Sequence, residues 1–396
     1  MEKENVVIVS GVRTPFDKFG GPMRSESTVT LGAFVVKEAI RRAGIQPDEI
    51  EETYIGINMP TSNRSIARQI TLTAGMPPEA NSATVDRACC SSMVAIAMAK
   101  RAIEAGDATI TMGGGSENMS NVPYFLDDMR WGKRMGDVLL KDIMVVSCPY
   151  THEPRAKQAG DVALELGISR EMQDQWAYRS QMLYQDAFKA GKFKEEILPY
   201  TVKQKKGDLL IDCDQAPRPD TTLEGLAKLK TVNQSPTVTA GNAPGLNTGA
   251  GAVILMSESE AKRRGIKPLA TFVSHAQASG HPKYIATIPA FAAQKALKKA
   301  GMTIDQMDVI EINEAFAVMP IASTKLLGDD DPAKTEAIRK KTNINGGAIA
   351  IGHPTGATGA RLVMTTAYEL RRRGGGYGLI TICGGVGESE SFIIRV

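Results

Sequence analysis

Two rhythms of apolar residues alternate along the chain. Short runs rich in Val, Ile and Thr (VVIVSG, ATITMGG, GLITICGG) read as strands, and longer stretches such as SMVAIAMAKRAIEAG and ARLVMTTAYELRRRG read as helices. This alternation predicts an α/β architecture with sheets covered by helices. One helix-turn-strand unit occurs twice, at 33–56 (AFVVKEAIRRAGIQPDEIEETYIG) and 290–313 (AFAAQKALKKAGMTIDQMDVIEIN). Ala39/Ala296, Gly44/Gly301, Asp48/Asp305 and Ile55/Ile312 share an offset of 257, with glycine where each helix must end. Two topologically similar halves are the inference.

Between about 119 and 245 the pattern changes to Met-, Pro- and charge-rich stretches around one amphipathic helix, SREMQDQWAYRSQMLYQDAFKAG. The predicted organisation is a first half from 1–118 with 246–268, an inserted region at 119–245 and a second half at 269–396. The insertion reads either as a cap over an active site or as an ordinary helical subdomain.

Forty-seven basic against 44 acidic residues leave a weak overall field, and no basic stripe with interleaved aromatics appears, which argues against nucleic acid as a partner. No apolar run approaches the length of a membrane span, and the first residues pass from a charged stub into a strand without a leader pattern. The five cysteines lack CxxC spacing and the four histidines are scattered. A reduced, cytoplasmic setting is expected, with no metal in this chain.

The segment RACCSSMVAIAMAKRAI (87–103) sets two cysteines at the mouth of a helix. A thiol there faces unpaired N–H groups and the positive end of the helix dipole, which favour the thiolate, and Ser91 or Ser92 can cap the helix. Buried structural cysteines are the other reading. Three further stretches bear on the choice: His353 lies in a Gly-rich turn within NGGAIAIGHPTGATGAR, Asn313 ends a strand in EINEAFA, and Cys383 ends another in ITICGGVG. Together they supply a nucleophile, a base, a second proton carrier and oxyanion donors.

These motifs, with VSGVRTPF, GGGSENMSNVPY (113–124), ISREMQDQWAYRSQ and VTAGNAPGLNTGAGA (238–252), resemble the thiolase family over almost the whole chain. The resemblance implies duplicated mixed-sheet halves in an α/β/α/β/α layering with a mostly helical cap. It implies thiolytic cleavage of a 3-oxoacyl-CoA, or the reverse Claisen condensation, with coenzyme A as co-substrate. The family's Cys-Gly/Ala-Ser-Gly pattern falls on Cys89-Cys90-Ser91-Ser92, so Cys89 is the implied nucleophile and Cys90 packing. His353 is the implied base and Cys383 the second acid/base. His353 with a water held by Asn313 forms one implied oxyanion hole, and the N–H groups of Cys89 and Gly385 form the other. Family members are usually dimers or dimers of dimers. A non-catalytic acyl-CoA-binding subunit of the same fold is the alternative, and a decarboxylating condensing enzyme conflicts with Cys383.

Several positions depart from the family pattern. Arg155 stands where methionine is usual, with Lys157 nearby; Pro244 replaces a serine that often meets the pantetheine arm; Glu388 replaces an apolar residue past the second oxyanion loop. Arg218 matches a position on the CoA-binding face. A guanidinium facing an acyl chain requires a carboxylate, so a carboxylated substrate is expected unless Arg155 points to solvent or to a CoA phosphate. Benzoylsuccinyl-CoA and 3-oxoadipyl-CoA both satisfy it. The thiolase of anaerobic toluene degradation, which the chain resembles here, cleaves the first and works with a small zinc-ribbon and OB-fold companion subunit, so any zinc belongs to that partner.

Overall fold

The computed structural model describes residues 4–396 except 60 and 146. Nine strands carry the architecture: β1 (Val6–Arg13), β2 (Glu52–Gly56), β3 (Asn81–Val85), β4 (Ile110–Asn118), β5 (Asn247–Ser257), β6 (Ala270–Ser279), β7 (Val309–Ile312), β8 (Tyr377–Gly384) and β9 (Glu388–Arg395). Six helices pack on them: α1 (Thr28–Ala43), α2 (Ser91–Ala105), α3 (Arg155–Glu165), α4 (Arg170–Lys189), α5 (Ile288–Ala300) and α6 (Thr358–Arg372).

The strands run β7-β8-β9-β6-β1-β5-β4-β2-β3 as one mixed sheet, with the short Asp17–Lys18 strand paired to β5. From the centre outward, each half repeats one sequence of pairings. β1, β5 and β4 are antiparallel neighbours and β4, β2 and β3 parallel ones; β6, β9 and β8 are antiparallel and β8 and β7 parallel. Where the first half has β3, the second has a single parallel bridge, Ile310 to Thr342. The halves join through β1 and β6, with Val7 opposite Thr271 and Ile8 opposite Ala270. The duplication inferred from one unit thus extends through every strand of the sheet but β3.

Strand alternation distributes the core into layers. Val7, Ala252 and Ile254 face α1, whereas Val6, Ile8, Val253 and Leu255 face the opposite way, into a core shared with α2 and α6. From the second half, Ile380, Ile382, Phe392 and Ile394 enter that same central core, and Leu379 and Ile393 turn out toward α5. The order is α1, sheet, α2 with α6, sheet, α5. Helices α1 and α5 both end at a left-handed glycine, Gly44 at φ 69° and Gly301 at φ 65°, a conformation that a Cβ disfavours.

The insertion leaves β4 at Met119 and returns at β5. Its α3 and α4 pack on the second half through Ala156, Ala159, Trp176 and Ala177 against Val318, Met319 and Ile321.

Candidate active site

The loop before α2 is wound by one serine. Ser91 Oγ accepts from the Arg87 N–H at 2.8 Å and donates to the Ala88 carbonyl at 2.6 Å, holding Ala88 in the left-handed region at φ 48°. Neither serine caps α2 as the sequence led us to expect. Cys90 occupies the cap position with no capping bond from its side chain, and Ser92 Oγ accepts from the Ala360 N–H at 3.1 Å, capping the third residue of α6 in the other half. The wound turn points the two cysteines apart. Cys90 is fully buried, its Sγ donating to the Ile382 carbonyl at 3.5 Å, and it is a packing residue. Cys89 lines a cavity of about 500 Å³ with His353, Cys383 and Gly385. Two cysteines and the imidazole, distant in sequence, thus share one chamber.

The imidazole is fixed from three sides. Its backbone N–H donates to Asn247 Oδ1 at 2.8 Å. Its Nδ1 lies 2.7 Å from Thr358 Oγ1, whose proton goes to the Pro354 carbonyl at 2.9 Å. Nδ1 is therefore the ring donor, and Nε2 keeps its lone pair. Asn313 Nδ2 approaches Nε2 at 3.4 Å, and Asn313 Oδ1 is buried without a partner. An orphaned acceptor beside the ring suits a water or a ligand donor.

Burial governs the ionisation. It pushes the Cys89 thiol up, with negative charge at Cys383 and Glu117 adding to it, and pushes Cys383 up to about 12. It also lowers His353 to about 3, with Arg361 contributing. The expected resting thiolate is thus corrected: desolvation outweighs the helix dipole, and the pair rests as neutral thiol and neutral imidazole.

Two carboxylates that the sequence reading passed over shape the chamber. Glu117 is fully buried and accepts from the N–H groups of Asn58 and Gly356 and the Thr355 hydroxyl, which buttresses the His353 loop. Glu314 accepts from Trp176 Nε1, Ser180 Oγ, Asn343 Nδ2 and the Ile349 N–H, and so fixes the strand end that carries Asn313. Both stand inside motifs quoted above. A glutamate beside an asparagine at a strand end was the available signal in both.

The departures sort differently. Arg155, at the start of α3, lines the cavity, and its Nε would stand 3.4 Å from a Cβ built on Gly385. It hydrogen-bonds Gln158 Oε1 at 3.4 Å and the Cys148 side chain, whose thiol it helps to hold down at about 6, and among the described residues it has no carboxylate partner. Lys157 is engaged by Glu153 and Asp161 at 2.8 and 2.6 Å. Pro244 lines the same chamber. Arg218 lines a neighbouring cavity of about 390 Å³, which shares Ala240, Ala243, Gly245 and Leu246 with the first. Glu388 lines neither cavity. It pairs with Arg87 at 3.2 Å on the far side of the Cys89 turn, which removes it from the expected acyl pocket. Among the described residues no group of His, Cys, Asp and Glu could hold a metal ion, and no helix is long and apolar enough to cross a membrane.

Residues 6–259 match the thiolase N-terminal domain and residues 266–396 the thiolase C-terminal domain. An acetyl-CoA acetyltransferase of Syntrophomonas wolfei is 42% identical, with 98% of both chains aligned, and the beta-ketothiolase BktB of Cupriavidus necator is 42% identical over 98% of both. Among solved structures, human mitochondrial 3-ketoacyl-CoA thiolase in complex with CoA superposes with a TM-score of 0.93 at 36% identity, covering 99% of this chain and 98% of that one. The Bacillus anthracis acetyl-CoA acetyltransferase gives 0.95 at 36% identity over 99% of both chains. Matched through both domains along nearly its full length, the chain belongs to the thiolase family and is an acyltransferase of that kind.

Proposed function

We propose that the protein cleaves a 3-oxoacyl-CoA thiolytically, or forms one by the reverse condensation, through an acyl group carried on Cys89. The observation that carries this reading is the meeting of Cys89, His353 and Cys383 around one chamber, next to the cavity of Arg218. His353 Nε2 takes the proton of the Cys89 thiol as sulfur attacks the β-keto carbon. A neutral pair with a raised thiol pKa makes this transfer concerted with attack rather than prior to it. The oxyanion is held by the N–H groups of Cys89 and Gly385. The carbon–carbon bond then breaks and leaves its electron pair as an enolate of the shorter acyl-CoA, stabilised by protonated His353 and a water on Asn313. Cys383 gives its proton to the α-carbon. A second CoA thiol returns a proton to Cys383 and takes the acyl group, and Cys89 leaves with the proton held by His353. Each oxyanion donor contributes about 3 kcal/mol in comparable sites.

The acyl portion we assign is one bearing a free carboxylate, benzoylsuccinyl-CoA or 3-oxoadipyl-CoA. Arg155, facing the chamber without a carboxylate of its own, supports this. A second reading, acetoacetyl-CoA as substrate, is favoured by the names of the relatives. Arg218 and Pro244 are proposed to contact CoA, and the insertion at 119–245 to serve as the cap. Trp131 and Met135, 91% and 88% exposed, support burial of that region in an assembly, either a dimer of dimers or with the zinc-ribbon and OB-fold companion.

Intact-mass spectrometry after mixing with acetoacetyl-CoA and 3-oxoadipyl-CoA is expected to show an acyl adduct on Cys89. No adduct with any 3-oxoacyl-CoA would move the reading to a binding subunit. Arg155→Ala is expected to lower kcat/KM for the carboxylated substrate about 10- to 100-fold, the range of a charge-assisted hydrogen bond, and to spare acetoacetyl-CoA. Equal losses on both would remove the carboxylate assignment.

A further inference from the structure

A third cavity, of about 400 Å³, lies between α4 and the helix at Pro332–Lys341 and shares no wall residue with the two chambers described above. Its cationic wall is Arg179, Arg339 and Lys340, and its apolar wall includes Met172, Leu183 and Ile321. Glu336 is the only acidic side chain lining it, and among the described residues none of the three cations forms an ion pair.

The two guanidiniums are held in place by hydrogen bonds to neutral groups, with Glu314 and Glu336 acting on them without a direct ion pair. Arg179 lies 4.8 Å over the Trp176 ring, its Nη2 donates to the carbonyls of Arg339 and Thr342 at 3.0 and 2.8 Å, and its Nη1 has no acceptor. Arg339 donates from Nε to Thr324 Oγ1 at 3.2 Å and from Nη2 to the Ile321 carbonyl at 3.5 Å. Burial pushes both guanidiniums below their usual range, outweighing the attraction of Glu314 and Glu336 for Arg179 and of Glu336 for Arg339. Fixed, partly desolvated guanidiniums beside an apolar wall are the recognition chemistry of an organic anion.

We propose that this cavity is a second ligand site, which binds a small organic anion with its carboxylate or phosphate toward Arg179, Arg339 and Lys340 and its apolar body against Met172, Leu183 and Ile321. The site comes with its own reporter. The chain has two tryptophans, and Trp176 stands in the cavity wall.

The test uses a Trp131→Phe variant, in which Trp176 is the sole tryptophan. Phenyl phosphate and benzoate are titrated while its fluorescence is followed, with phenol as the uncharged control, each with and without saturating CoA. The expected result is a saturable change with at least one anion, unaltered by CoA and absent with phenol. Tighter phenyl phosphate assigns a phosphate ligand, and tighter benzoate a carboxylate. Arg339→Gln should weaken binding about 10-fold or more, the scale of one charge-assisted contact. Lys340→Gln, at an exposed position, should weaken it less. Binding of phenol as tight as the anions, competition by CoA, no response to either anion, or unchanged affinity in both variants would each overturn the proposal. None of these readouts depends on turnover, so the outcome is independent of the thiolase chemistry.

Discussion

The two halves use the same strand end in different ways. By the offset of 257, Asn313 at the end of β7 corresponds to Gly56 at the end of β2. In the first half the strand end meets its inner helix directly: a Cβ on Gly56 would stand 2.4 Å from the backbone of Ser91 and Ser92, the first residues of α2. In the second half an imidazole is wedged into the equivalent joint. Asn313 lies 3.4 Å from one nitrogen of His353, and Thr358, the first residue of α6, lies 2.7 Å from the other. One half closes the joint with glycine and uses it for packing. The other opens it by one ring and obtains a polar chamber wall. In the proposed reaction the chemistry is divided accordingly: the first half contributes Cys89 and the buttress Glu117, and the second contributes His353, Asn313 and Cys383.

The largest effect is expected at the one reactive side chain that the first half supplies. Cys89→Ala should lower thiolytic turnover on the order of 10⁴-fold or more, as removal of a nucleophile does elsewhere, and should abolish the acyl adduct in intact-mass spectra. Next is a pair of substitutions that exchange the halves' solutions. Asn313→Gly gives the second half the residue of the first. It should reduce kcat by about 10²- to 10³-fold, the value of one oxyanion group, with the midpoint of urea unfolding little changed. Gly56→Ala does the reverse at the packed joint and should destabilise the fold by about 3 kcal/mol, because backbone rather than a movable side chain opposes the new methyl. Urea denaturation measures it. A stable, normally folded Gly56→Ala protein would break the comparison.

How much of this was legible beforehand depended on whether a feature is local. The repeat could be read because Gly44 and Gly301 close helices and the following strands keep their apolar alternation, all within 24 residues. Missing from that signal was the loss of β3's counterpart, since the bridge at Thr342 rests on one residue's pairing. The four residues of the proposed chemistry stood out at element ends, His353 and Cys383 in Gly-rich motifs. Their ionisation did not, because burial depends on every layer packed around them. Glu388 was misplaced for a related reason. It opens β9 opposite Gly384, and that register, set by the turn at Gly385–Gly387, aims its carboxylate at Arg87 rather than at the chamber. Asn247 holds the imidazole from a position that only the folded chain brings near, whereas Thr358 stands in the same motif as His353.

Glu117 sharpens the comparison through pH. Burial raises it to about 7 from an ordinary 4.5, against the hydrogen bonds it accepts. Between those values the unfolded chain releases this proton while the native chain keeps it. The native state therefore holds more protons, and stability falls as pH rises through the window. Glu311, also raised to about 7, acts in the same direction. His353, lowered to about 3, acts the opposite way up to pH 6.5, because there the unfolded chain binds the proton. The clean readout is therefore the difference, and Glu117→Gln should gain in urea midpoint relative to the wild type as pH rises from 4.5 to 7. An unchanged slope would show that Glu117 is ionised in the native protein.

The smallest expected effect tests how the halves are joined at their helix starts. Ser92 belongs to α2, yet its hydroxyl serves the Ala360 N–H of α6, while Ser91 serves its own loop. Gly359 makes this approach feasible, since a Cβ there would come within 2.7 Å of the Met93 nitrogen. Ser92→Ala should cost about 1 kcal/mol, the ordinary value of a lost helix cap, but the loosening should be felt on the opposite half. Hydrogen exchange is the discriminating measurement: faster exchange is expected at residues 358–361 in Ser92→Ala, and at Arg87 in Ser91→Ala. If both variants loosened only the first half, the cap would be a contact without consequence, and the two helix starts would be held together by the apolar core of α2 and α6 alone.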